Sequence, residues 1–290
     1  MESIREIICL SHDGIDRMWY PFSADLDTYS SVISAGNYYE VGELLMLIQS
    51  MFATNNYSPE LVNGENYKAT RKYLVGEKMR RRECSLTFRT EANQYKLDRC
   101  FYGNYSIEAR LQKTDSDVVY IGEDVIKMLG KFHKPFVIAE GRLFNYNSTI
   151  LKPDNEFTRK SMVAMANSWA RMVGIQDSRL ELNHAGRWSS SGDYGSRAST
   201  YRSRRPSPLT VLTCLSQAVM RKRKYGKCPP VICPFNVDTL SEFESIAMLD
   251  LVKHVCIEEG VQFIIGINGK PEIDSIVETI STPNLTRYYT

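Results

Sequence analysis

The stretch that decides the fold is residues 228–268, CPPVICPFNVDTLSEFESIAMLDLVKHVCIEEGVQFIIGIN. It predicts an apolar strand, an acid-rich loop, an amphipathic helix and a second apolar strand. The helix is predicted to end at Gly260. The β-branched residues after Gly260 are typical of a strand buried on both faces of a parallel sheet. The helix prediction rests on apolar residues that recur with helical periodicity, namely Phe243, Ile246, Ala247, Leu249, Leu251, Val252 and Val255. The stretch therefore predicts half of an open α/β core.

The composition is that of a globular chain. It has 290 residues, 43% of them hydrophobic, which is enough for a substantial core in one large domain or two lobes. No run of about 18 apolar residues occurs, and the first residues, MESIREIICLSHDG, carry charges where a secretory signal would be apolar. We therefore expect a cytoplasmic protein, or a nuclear one if the source is eukaryotic, with no membrane association.

The seven cysteines are odd in number, scattered, and mostly set in apolar segments. They predict buried thiols rather than disulfides or zinc ligands. The four histidines are dispersed, and the chain has no HExxH or CxxC pattern, so we expect no metal site. The cysteines are Cys9, Cys84, Cys100, Cys214, Cys228, Cys233 and Cys256.

The first third of the chain predicts strands at 4–10 and 29–34, then a loop with Gly and Asn, then an apolar helix at 41–53. A phosphate-binding loop needs this order, because backbone N–H groups and the helix N-terminus must point at one anion. Its chemistry is missing: a working loop reads G-x-x-x-x-G-K-[ST], whereas Gly36 and Gly42 here precede Glu43 and Leu44. A carboxylate at the lysine position would repel a triphosphate by about 4 kcal/mol per charge pair at 4 Å. The alternative is a turn before an ordinary core helix.

Residues 84–111 alternate apolar and polar side chains between turn residues, which predicts an antiparallel meander. A short helix at 124–129 follows, and the apolar spacing from Met162 to Val173 predicts a further amphipathic helix without sustained heptads. The inward residues of the meander are predicted to be Leu86, Phe88, Tyr95, Leu97 and Phe101.

A basic segment spans residues 187–227, which contain ten Lys or Arg and a single acid, while the whole chain has a net charge of only +2. A basic block on an acidic body indicates a polyanionic partner. Its first part, GRWSSSGDYGSRASTYRSRRPSP, predicts a loop whose aromatic residues stack on bases. The alternative is a solvated loop whose arginines pair with acids elsewhere. The predicted nucleic-acid contacts are Arg187, Trp188, Arg197, Tyr201, Arg202, Arg204, Arg205, Arg221, Lys222, Arg223 and Lys224.

In their order along the chain these pieces resemble the heads of the SMC and RecF-like branch of ABC ATPases. VISAGNYYEVGELLMLIQSMFA (32–53) stands where the phosphate loop and its helix stand, and the meander with Tyr95 and Arg99, closed by VVYIGEDVIKMLG (118–130), follows. SSSGDYG (189–195) resembles the family signature, 209–223 its helix, and 231–238 the acid-bearing strand. GVQFIIGIN (260–268) resembles the strand before a switch histidine, whose place Asn268 and Gly269 occupy.

The resemblance implies an α/β, P-loop-like, two-lobed head with a mixed sheet and the antiparallel meander in the first lobe. It implies an N-terminal lobe at 1–130, a helical connector at 131–185 and a C-terminal lobe at 186–290 that carries the basic, signature-like loop. The connector is too short for the long coiled-coil arm of the family. The positions of a degenerate nucleotide site are then Gly36, Gly42, Glu43, Leu44, Ser191, Gly192, Asp193, Cys233 and Asp238, with Cys233 in place of the carboxylate that orders Mg²⁺.

Three functions compete. The first is a catalytically silent head, without a cofactor, that binds DNA or RNA and also a protein partner or second copy through the degenerate nucleotide face. The second is a nucleic-acid-binding structural protein of a virus or phage, a packaging or replication factor. The third is a hydrolase built from His184, Ser191, Asp193 and Cys214, which their spacing does not favour. We expect the first.

Overall fold

A computed structural model describes the chain over residues 2–13, 22–35, 48, 50–54, 81–102, 105–133, 135–137, 156–175, 180–182, 188–190, 208–235, 240–268 and 285–288. Its strands are β1 (Glu2–His12), β2 (Phe22–Asp25), β3 (Ser30–Ala35), β4 (Arg81–Thr90), β5 (Gln94–Tyr102), β6 (Tyr105–Lys113), β7 (Val119–Ile121), β8 (Phe132–His133), β9 (Phe136–Val137), β10 (Leu180–Leu182), β11 (Trp188–Ser190), β12 (Val231–Phe235), β13 (Phe263–Asn268) and β14 (Leu285–Tyr288). Its helices are α1 (Glu123–Leu129), α2 (Glu156–Met172), α3 (Pro208–Tyr225) and α4 (Glu242–Glu259).

One sheet is an antiparallel ladder in the order β2-β1-β4-β5-β6-β7, with β8 added in parallel beside β1. The predicted meander is confirmed as β4, β5 and β6, and the predicted short helix as α1. All five residues predicted to point inward are buried, namely Leu86, Phe88, Tyr95, Leu97 and Phe101. Alternation along these strands was a sufficient signal, because one face packs on the core and the other does not.

The second sheet is parallel, in the order β14-β3-β13-β12-β9. Strand β3 comes from the predicted first lobe and lies between two strands of the predicted second lobe. The α/β class with a meander in the N-terminal part is thus confirmed, whereas the division of the chain at 130 and 185 stays a prediction.

The parallel sheet is buried on both faces, as the sequence predicts. One face packs on helices α2, α3 and α4, and its residues include Val32, Cys233 and Ile265. The other face packs on the antiparallel sheet, and its residues include Ile33, Ile232 and Ile264. Between the two sheets lies the end of the helix predicted at 41–53, whose described residues Ile48, Met51 and Phe52 are buried there.

Helix α4 ends at Gly260, as its sequence predicts, and it begins at a capping box. Ser241 Oγ accepts a hydrogen bond from Glu244 N at 3.3 Å, and the Glu244 carboxylate accepts one from Ser241 N at 2.8 Å, which forms a capping box. Gly260 closes the helix in the left-handed region, with φ 63°. Phe243, one of the apolar residues on which the helix prediction rests, does not face the core: it is 75% exposed. It lies on the face opposite the buried residues Ser245, Met248, Leu249, Val252, Val255 and Cys256.

The side chain of Gln262 joins the two sheets. Its Oε1 accepts a hydrogen bond from Ile7 N, and its Nε2 donates to Ile7 O and Asp27 O, each at 2.8 Å. Strand β1 pairs with β8 at its start and with β2 at its end, so Gln262 fills the gap between those two partners. A buried amide thus takes the place of a missing strand partner.

The seven cysteines are all thiols, and all except the half-buried Cys9 are buried, which confirms the prediction. Burial raises the pKa of Cys228 to about 12. In the part of the chain that the structure describes, no helix has the length and apolarity needed to cross a membrane.

Candidate functional site

The carboxyl ends of the parallel strands form one edge of the sheet. Strands β3, β12, β13 and β14 run in parallel and end there, and the register places Ala35 beside both Asn268 and Tyr288. Open α/β sheets bind ligands at this edge. The degenerate nucleotide site predicted from the sequence would therefore lie here.

Most predicted positions of that site fall outside the described residues: Gly36, Gly42, Glu43, Leu44, Ser191, Gly192, Asp193 and Asp238. Three of them follow described strand ends along the chain. Gly36 comes directly after β3, Ser191 directly after β11, and Asp238 three residues after the end of β12. Their roles stay predictions.

Cys233 is the predicted nucleotide-site residue that the structure does describe. Its side chain is fully buried on the helical face of the parallel sheet, in contact with Cys214 of α3. Burial, together with a hydrogen bond to the Cys214 thiol, raises the pKa of Cys233 well above its ordinary value. The residue is therefore a neutral core thiol, and β12, with the sequence VICPF, contains no carboxylate.

Arg99 on β5 is the largest fully buried side chain among the described residues. Its Nη1 donates to the carbonyl oxygens of Ser50, Met51 and Ala53 at 3.0, 3.2 and 2.9 Å. These carbonyls end the helix that follows the predicted phosphate loop, where a cation meets the negative end of the helix dipole. Burial lowers the pKa of Arg99 to about 10.

Sequence reasoning singled out Arg99 for its spacing from Tyr95 and did not predict its contact with the helix. The signal was present in β5, QYKLDRCFY, where residues 95, 97, 99 and 101 share a face. An arginine on the inward face of a strand predicts a buried cation, which needs acceptors. The contact ties the antiparallel sheet to the helix that would position a phosphate loop.

The end of α3 carries the described part of the basic segment. Tyr225 is 52% exposed, and its ring centroid lies 5.3 Å from Arg221 Cζ and 5.0 Å from Lys224 Nζ. Arg223 forms an ion pair with Glu259, donating through Nε to both carboxylate oxygens at 3.1 and 3.2 Å. Cations in the last turn of a helix are stabilised by its dipole.

His133, at the end of β8, lies within the field of this basic helix end. Burial and then the positive charge of Arg221 lower the pKa of His133, and Lys227 adds to the effect. Two distant parts of the chain thus meet in a region of positive potential. Sequence reasoning did not single out Tyr225 or His133. Tyr225 stands inside the run RKRKYGK, which was a usable signal, whereas nothing near His133, in KFHK, indicates a contact with that run.

Other predicted contacts lie outside the described residues: Arg187, Arg197, Tyr201, Arg202, Arg204 and Arg205. Trp188 begins β11, which pairs with β10 in a two-stranded sheet. Of the residues considered for a hydrolase, Cys214 is buried in the core beside Cys233, and His184, Ser191 and Asp193 lie outside the described ranges.

No protein-family model matches the chain. No curated protein matches it either. Solved structures do match. An SMC head bound to the C-winged helix domain of ScpA is 12% identical, with a TM-score of 0.50 over 93% of this chain and 91% of that chain. The SMC head domain from Thermotoga maritima is 12% identical, with a TM-score of 0.45 over 96% and 92%. The recombination mediator RecF with ATP is 13% identical, with a TM-score of 0.44 over 94% and 96%.

The first of these matches shows a shared fold. The chain therefore has the fold of an SMC-type ABC ATPase head, in agreement with the architecture predicted from the order of its elements.

Proposed function

We propose that this chain is a head of the ABC type that does not hydrolyse ATP, that binds DNA or RNA through its basic segment, and that works beside a protein partner or a second copy docked on the degenerate nucleotide face. The observation that carries the nucleic-acid part is the exposed ring of Tyr225 with two cations close to it at the end of α3.

An exposed aromatic ring with cations at about 5 Å combines the two contacts that single strands use. Bases stack on the ring without regard to sequence, and the cations neutralise the neighbouring phosphates. Residues 221–227 hold five Lys or Arg, of which Arg223 is partly neutralised by Glu259. Arg221, Lys222, Lys224 and Lys227 are the cations we assign to phosphates.

The absence of hydrolysis is supported by Cys233. In a head of this type the strand at this position presents a carboxylate to Mg²⁺, and phosphoryl transfer depends on that charge. Here the corresponding side chain is a neutral thiol that packs into the helical layer. Glu43 and Leu44, where a working loop has Lys and Ser or Thr, add to this support.

The test uses fluorescence anisotropy with labelled single-stranded DNA, single-stranded RNA and duplex DNA over a salt titration. The double variant Arg221→Glu/Lys224→Glu should weaken binding to every sequence alike and flatten the slope of log affinity against log salt by about 1.4 units for single strands. Tyr225→Ala should weaken single-strand binding by about 1–3 kcal/mol, whereas Tyr225→Phe keeps the ring and should not.

A matched control reverses two exposed arginines elsewhere, Arg110→Glu/Arg171→Glu. Arg171 lies far from the basic end of α3. It is at the end of α2, close to the first turn of α4, since a Cβ on the nearby Gly174 would lie 3.8 Å from Glu244. The basic end of α3 instead contacts Glu259 at the other end of α4, which is about 27 Å away along that helix. Equal losses in the control and the test pair, or no loss in either, would contradict nucleic-acid binding at this helix end.

A further inference from the structure

Strand β7 lies at one edge of the antiparallel sheet as the described residues form it. The edge is apolar: Val118 is 45% exposed, Val119 36% and Ile121 70%. Native sheets usually protect such an edge with charges or proline on the strand itself, because unpaired backbone groups accept another strand. Residues 118–121, VVYI, have neither.

The hydrogen bonds to β6 show which backbone groups face outward. Lys113 N donates to Val118 O at 3.1 Å, and Gly122 N donates to Ala109 O at 3.0 Å. In an antiparallel pair these bonds alternate, so Tyr120, which is opposite Leu111, also turns its backbone toward β6. The N–H and C=O groups of residues 119 and 121 therefore point to the open edge.

The side chains agree with this geometry. Tyr120 packs against the core, whereas Val119 and Ile121 share the opposite face of the sheet. A strand added at the edge would pair with the outward backbone groups and would place its own apolar side chains beside Ile121.

The charges around the edge select the occupant. Residues 114–124, TDSDVVYIGED, contain four acids, which flank the strand on both sides, and no Lys, Arg or His; Lys127 pairs with Asp124, and Lys113 and Arg110 of β6 lie beside the strand. A second copy of the same edge would bring acids against acids in an antiparallel pair, at a cost in like-charge repulsion. We propose that β7 is a docking edge for an extended segment of a partner protein, a short alternating apolar strand flanked by Lys or Arg. This site is separate from the basic end of α3 and does not depend on nucleic-acid binding.

The experiment uses the full chain and a labelled peptide, KRVTVTVKR, with EDVTVTVED as its acidic counterpart. Anisotropy should show the basic peptide binding at least tenfold more tightly than the acidic one, with the difference shrinking at high salt. Hydrogen exchange followed by NMR should slow at the amides of Val119 and Ile121 when the basic peptide is present.

Two variants separate the backbone from the charge. Val119→Pro removes an outward N–H and leaves the hydrogen bonds to β6 in place. It should lower the affinity for the basic peptide about fivefold to tenfold. Asp115→Asn/Asp117→Asn should remove most of its salt dependence, whereas the matched pair Glu91→Gln/Glu258→Gln should not. Binding without exchange protection at Val119 and Ile121, unchanged affinity in Val119→Pro, or formation of a dimer through β7 would each overturn the proposal.

Discussion

Replacing Arg99 by methionine tests whether the antiparallel sheet holds the helix behind the predicted phosphate loop. The side chain is 2% exposed, and a single nitrogen, Nη1, serves three carbonyls. That nitrogen has two protons, so the three contacts amount to about two charged hydrogen bonds, or about 3–6 kcal/mol.

Two further effects enter the balance. Burial lowers the pKa of Arg99 from 12.5 to about 10, so desolvation of the guanidinium costs the folded state about 3 kcal/mol, which methionine regains. Methionine in turn leaves helix-terminal carbonyls without a donor, at about 1–3 kcal/mol for each group that water does not reach. The loss of the hydrogen bonds and the cost of the unsatisfied carbonyls together exceed the desolvation energy that is recovered. We therefore expect Arg99→Met to lower the free energy of unfolding by about 3 kcal/mol.

Urea denaturation followed by circular dichroism measures this difference. Arg110→Met is the control, because Arg110 is exposed on the neighbouring strand β6 and its loss should change the free energy of unfolding by less than about 0.5 kcal/mol. A loss below about 1 kcal/mol in Arg99→Met would refute the reasoning, since the carbonyls would then be satisfied without the guanidinium.

Three further predictions follow from burial and from the nucleotide positions. Burial lowers the pKa of His12 from 6.5 to about 4, so the unfolded chain binds a proton at a higher pH than the folded one does. The free energy of unfolding should therefore fall by about 3 kcal/mol as the pH drops from 6.5 to about 4, and the urea midpoints of His12→Gln should lack that fall. Ile48→Asp places a charge between the two sheets and should prevent soluble expression, whereas Phe243→Asp, at an exposed site, should leave the melting temperature within a few degrees; equal behaviour would contradict the packing. The isolated chain should not turn over ATP; phosphate release that co-purifies with it and survives Glu43→Ala and Asp238→Asn would reveal another site.

Local patterns in the sequence predicted the elements well and their assembly less well. The period of α4 and the alternation along β4 and β5 are set by which neighbours each residue meets within a few positions, so one sequence suffices to find them. The place of β3 between β13 and β14 depends on contacts across more than 200 residues, which no local pattern contains.

The candidate sites show the same limit: features carried by neighbouring residues could be predicted, and contacts between distant residues could not. The run RKRKYGK predicts a basic helix end, but the ion pair that occupies Arg223 comes from Glu259, 36 residues later. His133 reaches the same region from β8, far earlier in the chain, and its own segment, KFHK, does not indicate that contact. The number of cations could be predicted; their partners could not.

The bridge made by Gln262 bears on how the chain is completed during synthesis. Its partner Ile7 leaves the ribosome 255 residues before Gln262. At about 5–20 residues per second the N-terminal strand waits at least ten seconds for this contact. A nascent chain stalled with residue 262 still in the exit tunnel should therefore leave the Ile7 amide open to exchange, and a chaperone that shields strand edges has that interval in which to act.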